Sequence, residues 1–180
     1  SEALNFLIEQ ETDDSFVFEI LVVDNNSRDG TKAVTESAAT RIKRACQSLR
    51  YIFESNQGKS FALNRGIKEA KGGIIAFTDD DVRIQKQWLM NIVQCFREFE
   101  CDGVGGRVLP VYPEKTPAWV REHPHQAAGA VVIYDYGDQN RKYEVAMDEF
   151  IGANYAFRRG VFDQCGMFRT DFKFDGIAVC

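Results

Sequence analysis

One apolar segment of the sequence ends abruptly in three acidic residues. Residues 73–77 are apolar, Thr78 follows them, and the next three residues are Asp79, Asp80 and Asp81. Like charges this close together repel each other unless a cation neutralises them, and carboxylate oxygens are the ligands that Mg²⁺ and Mn²⁺ prefer. The pattern predicts a divalent-cation site that could hold a phosphate. The alternative is a solvated turn in which one aspartate caps the following helix.

Another carboxylate follows a second apolar segment. Asp24 comes directly after residues 18–23, and residues 25–30 form a turn rich in Asn, Ser, Asp and Gly. A carboxylate at this point can accept a hydrogen bond from a base imide N–H or a ribose hydroxyl and so orient a nucleoside. The alternative is that Asp24 caps its own turn.

A lysine in a glycine-containing loop offers a contact for phosphate. Lys59 follows Gly58 just before a predicted helix, where backbone N–H groups and an ammonium can meet phosphate oxygens. The alternative is a solvated lysine.

Composition restricts the class of protein. The 180 residues are 44% hydrophobic and 12% aromatic, enough for one globular core. The formal net charge of −5 argues against a broad surface for nucleic acid or anionic membranes. Five cysteines without CxxC spacing indicate neither a zinc site nor a disulfide framework. This cysteine pattern fits a reducing environment, so we expect a cytoplasmic location. No apolar run approaches the roughly 20 residues of a membrane span.

The elements that must position these side chains alternate between strand and helix. Apolar spacing predicts strands at 18–23, 51–53, 73–77 and 104–109. It predicts helices at 3–8, 34–49, 61–70 and 88–96. Such alternation predicts an α/β fold with a mostly parallel, Rossmann-like sheet covered by helices on both faces. Ligands of such sheets bind beyond the carboxyl ends of the strands, where Asp24 and the three aspartates would lie.

One stretch without a clear pattern is predicted to be a long loop or lid. It runs from Tyr112 to Gln126 and contains three prolines. We interpret His123 and His125 as exposed residues and not as metal ligands. Trp119 could stack on a sugar ring or anchor the loop.

Three motifs together resemble the family 2 glycosyltransferases of the GT-A fold. They are Val22-Val23-Asp24-Asn25-Asn26-Ser27-Arg28-Asp29-Gly30-Thr31, then Asn56-Gln57-Gly58-Lys59 with Ala62-Leu63-Asn64-Arg65-Gly66, then Phe77-Thr78-Asp79-Asp80-Asp81. Residues 150–159 resemble the acceptor-side segment of that family. Arg158 and Arg159 within it could contact a diphosphate or an acidic acceptor, cap a helix or lie in solvent. The resemblance covers nearly the whole chain and implies the GT-A fold.

The resemblance also implies a reaction and a set of site residues. The reaction is transfer of a sugar from a nucleotide-diphosphate donor to an acceptor hydroxyl, with inversion and with Mn²⁺ or Mg²⁺ on the diphosphate. Asp79 and Asp81 would flank the metal, with Asp81 as a direct ligand. The nucleotide-sugar contacts would come from Asp24, Asn26, Lys59, Asn64, Asp79 and Asp80. Many family members have Arg-Asn where this chain has Leu63-Asn64, and the form found here resembles members related to polysaccharide synthases.

The catalytic base that the resemblance implies is missing from the sequence. An inverting transfer needs a base for the acceptor hydroxyl, which the family places in a Glu-Asp pair after a Gly-x-Phe segment. Residues 166–168 match that segment, but no Glu-Asp pair follows before Cys180. Asp171 and Asp175 are weaker candidates, so we expect the base just beyond Cys180.

We therefore expect one glycosyltransferase catalytic domain over residues 1–180, cut at both ends. Residues 1–109 would form its nucleotide-sugar-binding half and residues 110–180 its acceptor-side half. The acceptor would be a glycan or a lipid-linked molecule of polysaccharide or cell-envelope synthesis, and the full-length protein could associate peripherally with the inner face of the membrane. The alternative function is a non-catalytic nucleotide-sugar-binding domain. A third possibility, a receiver or phosphatase-like domain, is disfavoured by the order of the motifs.

Overall fold

The computed structural model describes residues 2–13, 15–42, 47–127, 131–135, 137–143 and 150–171. The strands in this part of the chain are β1 (Phe18–Asp24), β2 (Gln47–Phe53), β3 (Ile74–Phe77), β4 (Gly103–Gly105) and β5 (Tyr155–Arg158). The helices are α1 (Glu2–Ile8), α2 (Thr31–Ala39), α3 (Lys59–Glu69), α4 (Trp88–Glu98), α5 (Ala118–Glu122) and α6 (Gly160–Cys165), with a 3₁₀ turn at Pro124–Ala127.

Strands β1 and β2 form a parallel pair. Phe18 lies opposite Gln47, and the register continues without a break to Asp24 opposite Phe53. Helix α3 packs on β1 so closely that a side chain at Gly66 would lie 3.4 Å from the Val23 side chain. This parallel pairing with a covering helix confirms the predicted α/β class.

Strands β3, β5 and β4 form a second sheet in that order. Strand β5 runs antiparallel to both neighbours, with Tyr155 opposite Phe77 on one side and opposite Gly105 on the other. The sheet is therefore mixed, whereas the sequence pattern predicted mostly parallel pairing. The antiparallel strand comes from residues 150–159, where apolar spacing predicts no strand.

Several predicted segments differ in extent from the elements of the structure. The helix predicted over 34–49 ends at Ala39, and Leu49 lies in β2 instead. Pairing of β2 with β1 overrides the helical spacing there, because a strand position is decided by its cross-strand neighbours. The strand predicted over 104–109 is limited to Gly103–Gly105, followed by a single bridge between Val108 and Tyr134. The predicted loop at 112–126 contains α5 and most of the 3₁₀ turn.

The largest buried cluster lies between α3, α6 and the β3–β5 pair. It contains Ile67, Ile75, Phe77, Tyr155 and Phe162, with Phe168 packed against it. Because β3 runs directly from this cluster into the three aspartates, the core fixes the position of the acidic strand end.

Two consecutive arginines hold the ends of two helices. The Arg158 guanidinium donates hydrogen bonds of 2.9 Å to the carbonyl oxygens of Phe96 and Cys101, at the end of α4. The Arg159 guanidinium donates to the carbonyl oxygens of Ala70 and of Gly72, the latter at 3.0 Å, just after α3. Cations at helix carboxyl ends are favourable, so the structure favours the capping interpretation of these residues over contact with a diphosphate.

Candidate functional site

Asp24 lies at the carboxyl end of β1 and is buried, with a relative exposure of 6%. One carboxylate oxygen accepts a hydrogen bond from the Ser27 backbone N–H at 2.8 Å, and the other accepts one from the Tyr51 hydroxyl at 2.6 Å. Asp24 thus caps its own turn. Because a carboxylate has about four acceptor positions, these bonds leave capacity for a nucleoside as well.

The environment of Asp24 favours its charged form. Burial is the largest influence and raises the pKa, but the hydrogen bonds from Tyr51 and Ser27 outweigh it, so the pKa lies below the ordinary value. The same bond to Asp24 raises the pKa of Tyr51 to about 12. The carboxylate therefore stays ionised at neutral pH, and the tyrosine stays a hydrogen-bond donor.

We expect Tyr51→Phe to lower stability at neutral pH and to make that stability less sensitive to acid. A carboxyl whose folded-state pKa is depressed adds stability above its unfolded pKa, and that stability is lost as the pH falls through the folded value. Without the Tyr51 hydroxyl the folded-state pKa of Asp24 rises toward its unfolded value, so the free energy of unfolding falls less between neutral and acidic pH than in the wild type. Urea unfolding of the two proteins from about pH 2 to pH 7 measures this difference. In an Asp24→Asn background, Tyr51→Phe should no longer change the pH dependence.

Asn25 joins the end of β1 to the lysine loop. Its amide nitrogen donates to the Asn56 carbonyl at 2.5 Å, and its amide oxygen accepts from the Gly58 N–H at 2.7 Å. Analysis of the sequence missed this role, because the bonds span more than 30 residues. Asn26 is exposed and has a φ of 62°, a left-handed conformation that asparagine tolerates. The structure therefore gives Asn26 a place in the turn, and its nucleotide contact stays a prediction.

Lys59 connects this loop to the acidic end of β3. Its ammonium lies 2.9 Å from Oδ1 of Asp79, and the two side chains are 62% and 37% exposed. Asp80 and Asp81 are exposed at the same strand end. Gly58 and Lys59 thus link residues 24–25, at the end of β1, with residues 79–81, which follow β3.

A glycine of the acceptor-side segment lies directly against this ion pair. A Cβ atom added to Gly152 would lie 2.9 Å from the Lys59 ammonium and 3.7 Å from Oδ2 of Asp79. Two residues on, Asn154 accepts a hydrogen bond from the Trp88 indole N–H at 2.8 Å and donates one to the Arg107 carbonyl at 2.9 Å. Hydrogen bonds to α4 and to the segment after β4 therefore hold residues near the ion pair in place.

Two further predicted residues lie elsewhere. Asn64 donates to the Phe168 carbonyl at 2.8 Å and accepts from the Phe168 N–H at 3.0 Å, so both ends of its amide bind main chain. Its nucleotide contact stays a prediction. Asp171 forms an ion pair with Arg169 at 2.7 Å, and hydrogen bonds from that arginine lower the pKa of the carboxyl. A lowered pKa makes a weaker base. Asp175 lies outside the described residues.

The side chains at this strand end suit a divalent cation that also binds a diphosphate. Across the described ranges, no three His, Cys, Asp or Glu side chains converge as a complete metal site. The carboxylates of Asp79 and Asp81 offer hard oxygen ligands, and an ammonium already lies on Asp79. Mg²⁺ and Mn²⁺ sites of this kind use one or two carboxylates and complete their coordination with water and substrate phosphates. The residues present therefore fit such an ion together with a diphosphate.

The surroundings of three further side chains bear on the sequence predictions. The Thr78 hydroxyl, next to Asp79, is buried and has no hydrogen-bond partner within the described part of the chain. Trp119 is 53% exposed and His123 is exposed, so neither anchors a core in this region.

Among the residues that the structure describes, no helix combines the length and the apolar character needed to cross a membrane.

Comparisons with known proteins agree with this geometry. The family model described as glycosyl transferase family 2 matches residues 1–166. Over 95% of its length the chain is similar to a solved mannosyltransferase from Pyrobaculum calidifontis in complex with GDP-Man and Mn²⁺, with a TM-score of 0.63 and 22% identity, covering 45% of that chain. At this identity the likeness concerns the fold, and it confirms the expected GT-A architecture.

Relatives with similar sequences come from archaea and bacteria. The chain is 39% identical to glycosyltransferase AglE of Haloferax volcanii over 97 residues, which are 53% of this chain and 31% of that protein. It is 30% identical to the uncharacterized glycosyltransferase EpsJ of Bacillus subtilis over 176 residues, which are 96% of this chain and 48% of that protein. A glucosyl-dolichyl phosphate glucuronosyltransferase of Haloferax volcanii is 25% identical over 66% of this chain and 36% of its own length. The chain thus spans less than half of each of these proteins.

Proposed function

This chain belongs to glycosyl transferase family 2, and from that premise we propose that it binds a nucleotide-diphospho-sugar and transfers the sugar to an acceptor hydroxyl with inversion. The observation that carries the proposal is the continuous polar edge that runs from Asp24 through Asn25, Gly58 and Lys59 to Asp79. A nucleoside at one end of this edge and a diphosphate at the other would occupy it as one ligand.

Each part of the edge has a role in the proposal. The Asp24 carboxylate, ionised and held by Tyr51, accepts a hydrogen bond from the nucleoside. Lys59 begins α3, so its ammonium and the N–H groups of the first turn both favour phosphate oxygens. A divalent cation held by Asp79 and Asp81 would neutralise the charge that develops on the departing diphosphate. We propose Asn26 and Asp80, at the same edge, as further nucleotide-sugar contacts, together with Asn64 on α3.

The acceptor and its base belong to the second half of the chain in this proposal. Residues 150–154 reach the ion pair through Gly152, so an acceptor bound along this segment would meet the donor. The name of the dolichyl phosphate relative supports a lipid-linked or glycan acceptor. We propose a role in polysaccharide or cell-envelope glycan synthesis on the cytoplasmic side of the membrane, with the base supplied just beyond Cys180.

One observation favours the alternative of a binding domain without catalysis. Among the described residues from 150 onward there are two carboxylates, Asp163 and Asp171. Asp171 is paired with Arg169. Asp163 follows Arg158, the last residue of β5, which lies opposite Ile74 at the start of β3. The acidic edge is at the other end of β3. Neither is placed to take a proton from an acceptor.

An activity assay of the full-length protein distinguishes the two functions. It would be incubated with GDP-mannose, UDP-glucose and dTDP-glucose, each with Mn²⁺ or with EDTA, and release of the nucleoside diphosphate and the anomer of the first product would be followed by NMR. Mn²⁺-dependent release with an inverted anomer supports transfer. A donor that binds but is never consumed supports the binding domain, and a retained anomer contradicts the proposed mechanism.

A further inference from the structure

The Lys59–Asp79 ion pair places a cation on a carboxylate that the proposed function assigns to a metal. The ammonium lies 2.9 Å from Oδ1 of Asp79. A divalent cation binding that oxygen would meet the positive charge of the lysine at close range, and two cations so near each other repel. The lysine and the metal therefore compete for the same carboxylate.

The position of Lys59 is not explained by the stability of α3. Lys59 is the first residue of this 11-residue helix, and the first turn contains no acidic residue. The helix dipole is positive at this end, so a cation there is unfavourable unless an anion offsets it. Within the described residues that anion is Asp79. Once Asp79 binds a metal, the positive helix end and the ammonium are both available to a second anion.

The pair is also weak enough to open. Its side chains are 62% and 37% exposed, and exposed ion pairs contribute little to stability because water and salt screen them. The lysine side chain is long and has several rotatable bonds. Moving the ammonium away from Asp79 therefore requires no change in the backbone.

Resting on the proposed function, we propose that Lys59 is a placeholder cation. It neutralises Asp79 while no metal is bound, leaves that carboxylate when a divalent cation binds, and then turns to the phosphates of the donor. The lysine would thereby weaken binding of metal alone and strengthen binding of metal together with nucleotide. Gly152 belongs to this arrangement, because a methyl group there would press on the ammonium at 2.9 Å.

The test compares Mn²⁺ binding by wild type and Lys59→Met, read from the electron paramagnetic resonance signal of free Mn²⁺. Without nucleotide, Lys59→Met should bind Mn²⁺ about two- to fivefold more tightly, the factor expected from loss of competition with an exposed ion pair. Lys68→Met, which removes an exposed lysine near the other end of α3, should leave the affinity unchanged. With GDP or UDP present, Lys59→Met should instead lower the affinity for nucleotide about tenfold or more, through loss of a charge-assisted contact.

A second variant retains the lysine but crowds its ammonium. Gly152→Ala should also raise the affinity for Mn²⁺ alone, by less than Lys59→Met, and should have no such effect in the Lys59→Met background. The proposal is overturned if Lys59→Met leaves Mn²⁺ affinity unchanged or lower, or if neither protein binds Mn²⁺. If wild type binds no nucleotide under any condition, the proposed function fails, while the comparison with Mn²⁺ alone still decides the role of Lys59.

Discussion

Replacing Asp81 by alanine is expected to abolish metal-dependent binding of the nucleoside diphosphate and to leave the fold intact. Asp81 is exposed and forms no hydrogen bond or ion pair with the part of the chain that the structure describes, so its removal breaks no contact there. Removing a group that only hydrogen-bonds to a metal ligand typically lowers metal affinity by about 10- to 100-fold. Loss of a direct ligand should therefore lower it by at least about 100-fold. Calorimetric titration with GDP or UDP in the presence of Mn²⁺ measures the loss.

The matched control is Asp163→Ala on α6. Asp163 is also an exposed aspartate, but it follows the end of β5 that pairs with the start of β3. Its removal should change neither the thermal unfolding of the free protein nor the nucleotide titration by more than a small amount. An Asp81→Ala protein that retains wild-type affinity in Mn²⁺ would rule out Asp81 as a metal ligand.

Replacing Phe77 by alanine is expected to cost about 3–5 kcal/mol of unfolding free energy, the range for removing a large aromatic residue from a packed core. Phe77 is 8% exposed, and its ring stacks on Tyr155 at a centroid distance of 4.7 Å. It also meets Phe162 and Phe168 edge to face, each at 6.1 Å. Domains of this size have unfolding free energies of about 5–15 kcal/mol, so this single change should remove a large part of the stability of the fold.

Urea unfolding of the free protein measures the cost of Phe77→Ala, and Phe99→Ala supplies the control. Phe99 follows α4 and is 46% exposed. Its truncation should cost less than about 1 kcal/mol, since surface substitutions away from such contacts have small effects. Equal losses for the two variants would contradict the view that the aromatic cluster under β3 carries the stability of the acidic strand end.

The parts of the fold that the sequence predicted are those with a strong local pattern. The strands ending near Asp24 and Asp79 contain uninterrupted apolar runs at 20–23 and 73–77, and α3 and α4 have clear helical spacing, so each is recognisable within about ten residues. The polar turns after them contain the motif residues. Local patterns thus predicted both the elements and the edge of the sheet at which the candidate site lies.

The parts that the sequence did not predict depend on contacts between distant residues. Strand β5 is defined by pairing with β3 and β4, which lie about 50 to 80 positions earlier in the chain. Leu49 follows the helical spacing of α2, but pairing with β1 places it in a strand. The bonds of Asn25 to residues 56 and 58 and of Asn64 to Phe168 likewise join segments that no local pattern connects.

Thermal unfolding with UDP, GDP, dTDP and CDP, each with and without Mn²⁺, tests the proposed donor site most directly. A ligand that binds the folded state raises its stability by mass action, by about 2.7 kcal/mol at a concentration 100 times its Kd. We predict that one nucleotide raises the unfolding temperature when Mn²⁺ is present and does so much less in EDTA. The same unfolding temperature with every nucleotide, with and without Mn²⁺, would contradict a metal-dependent nucleotide-sugar site in this chain.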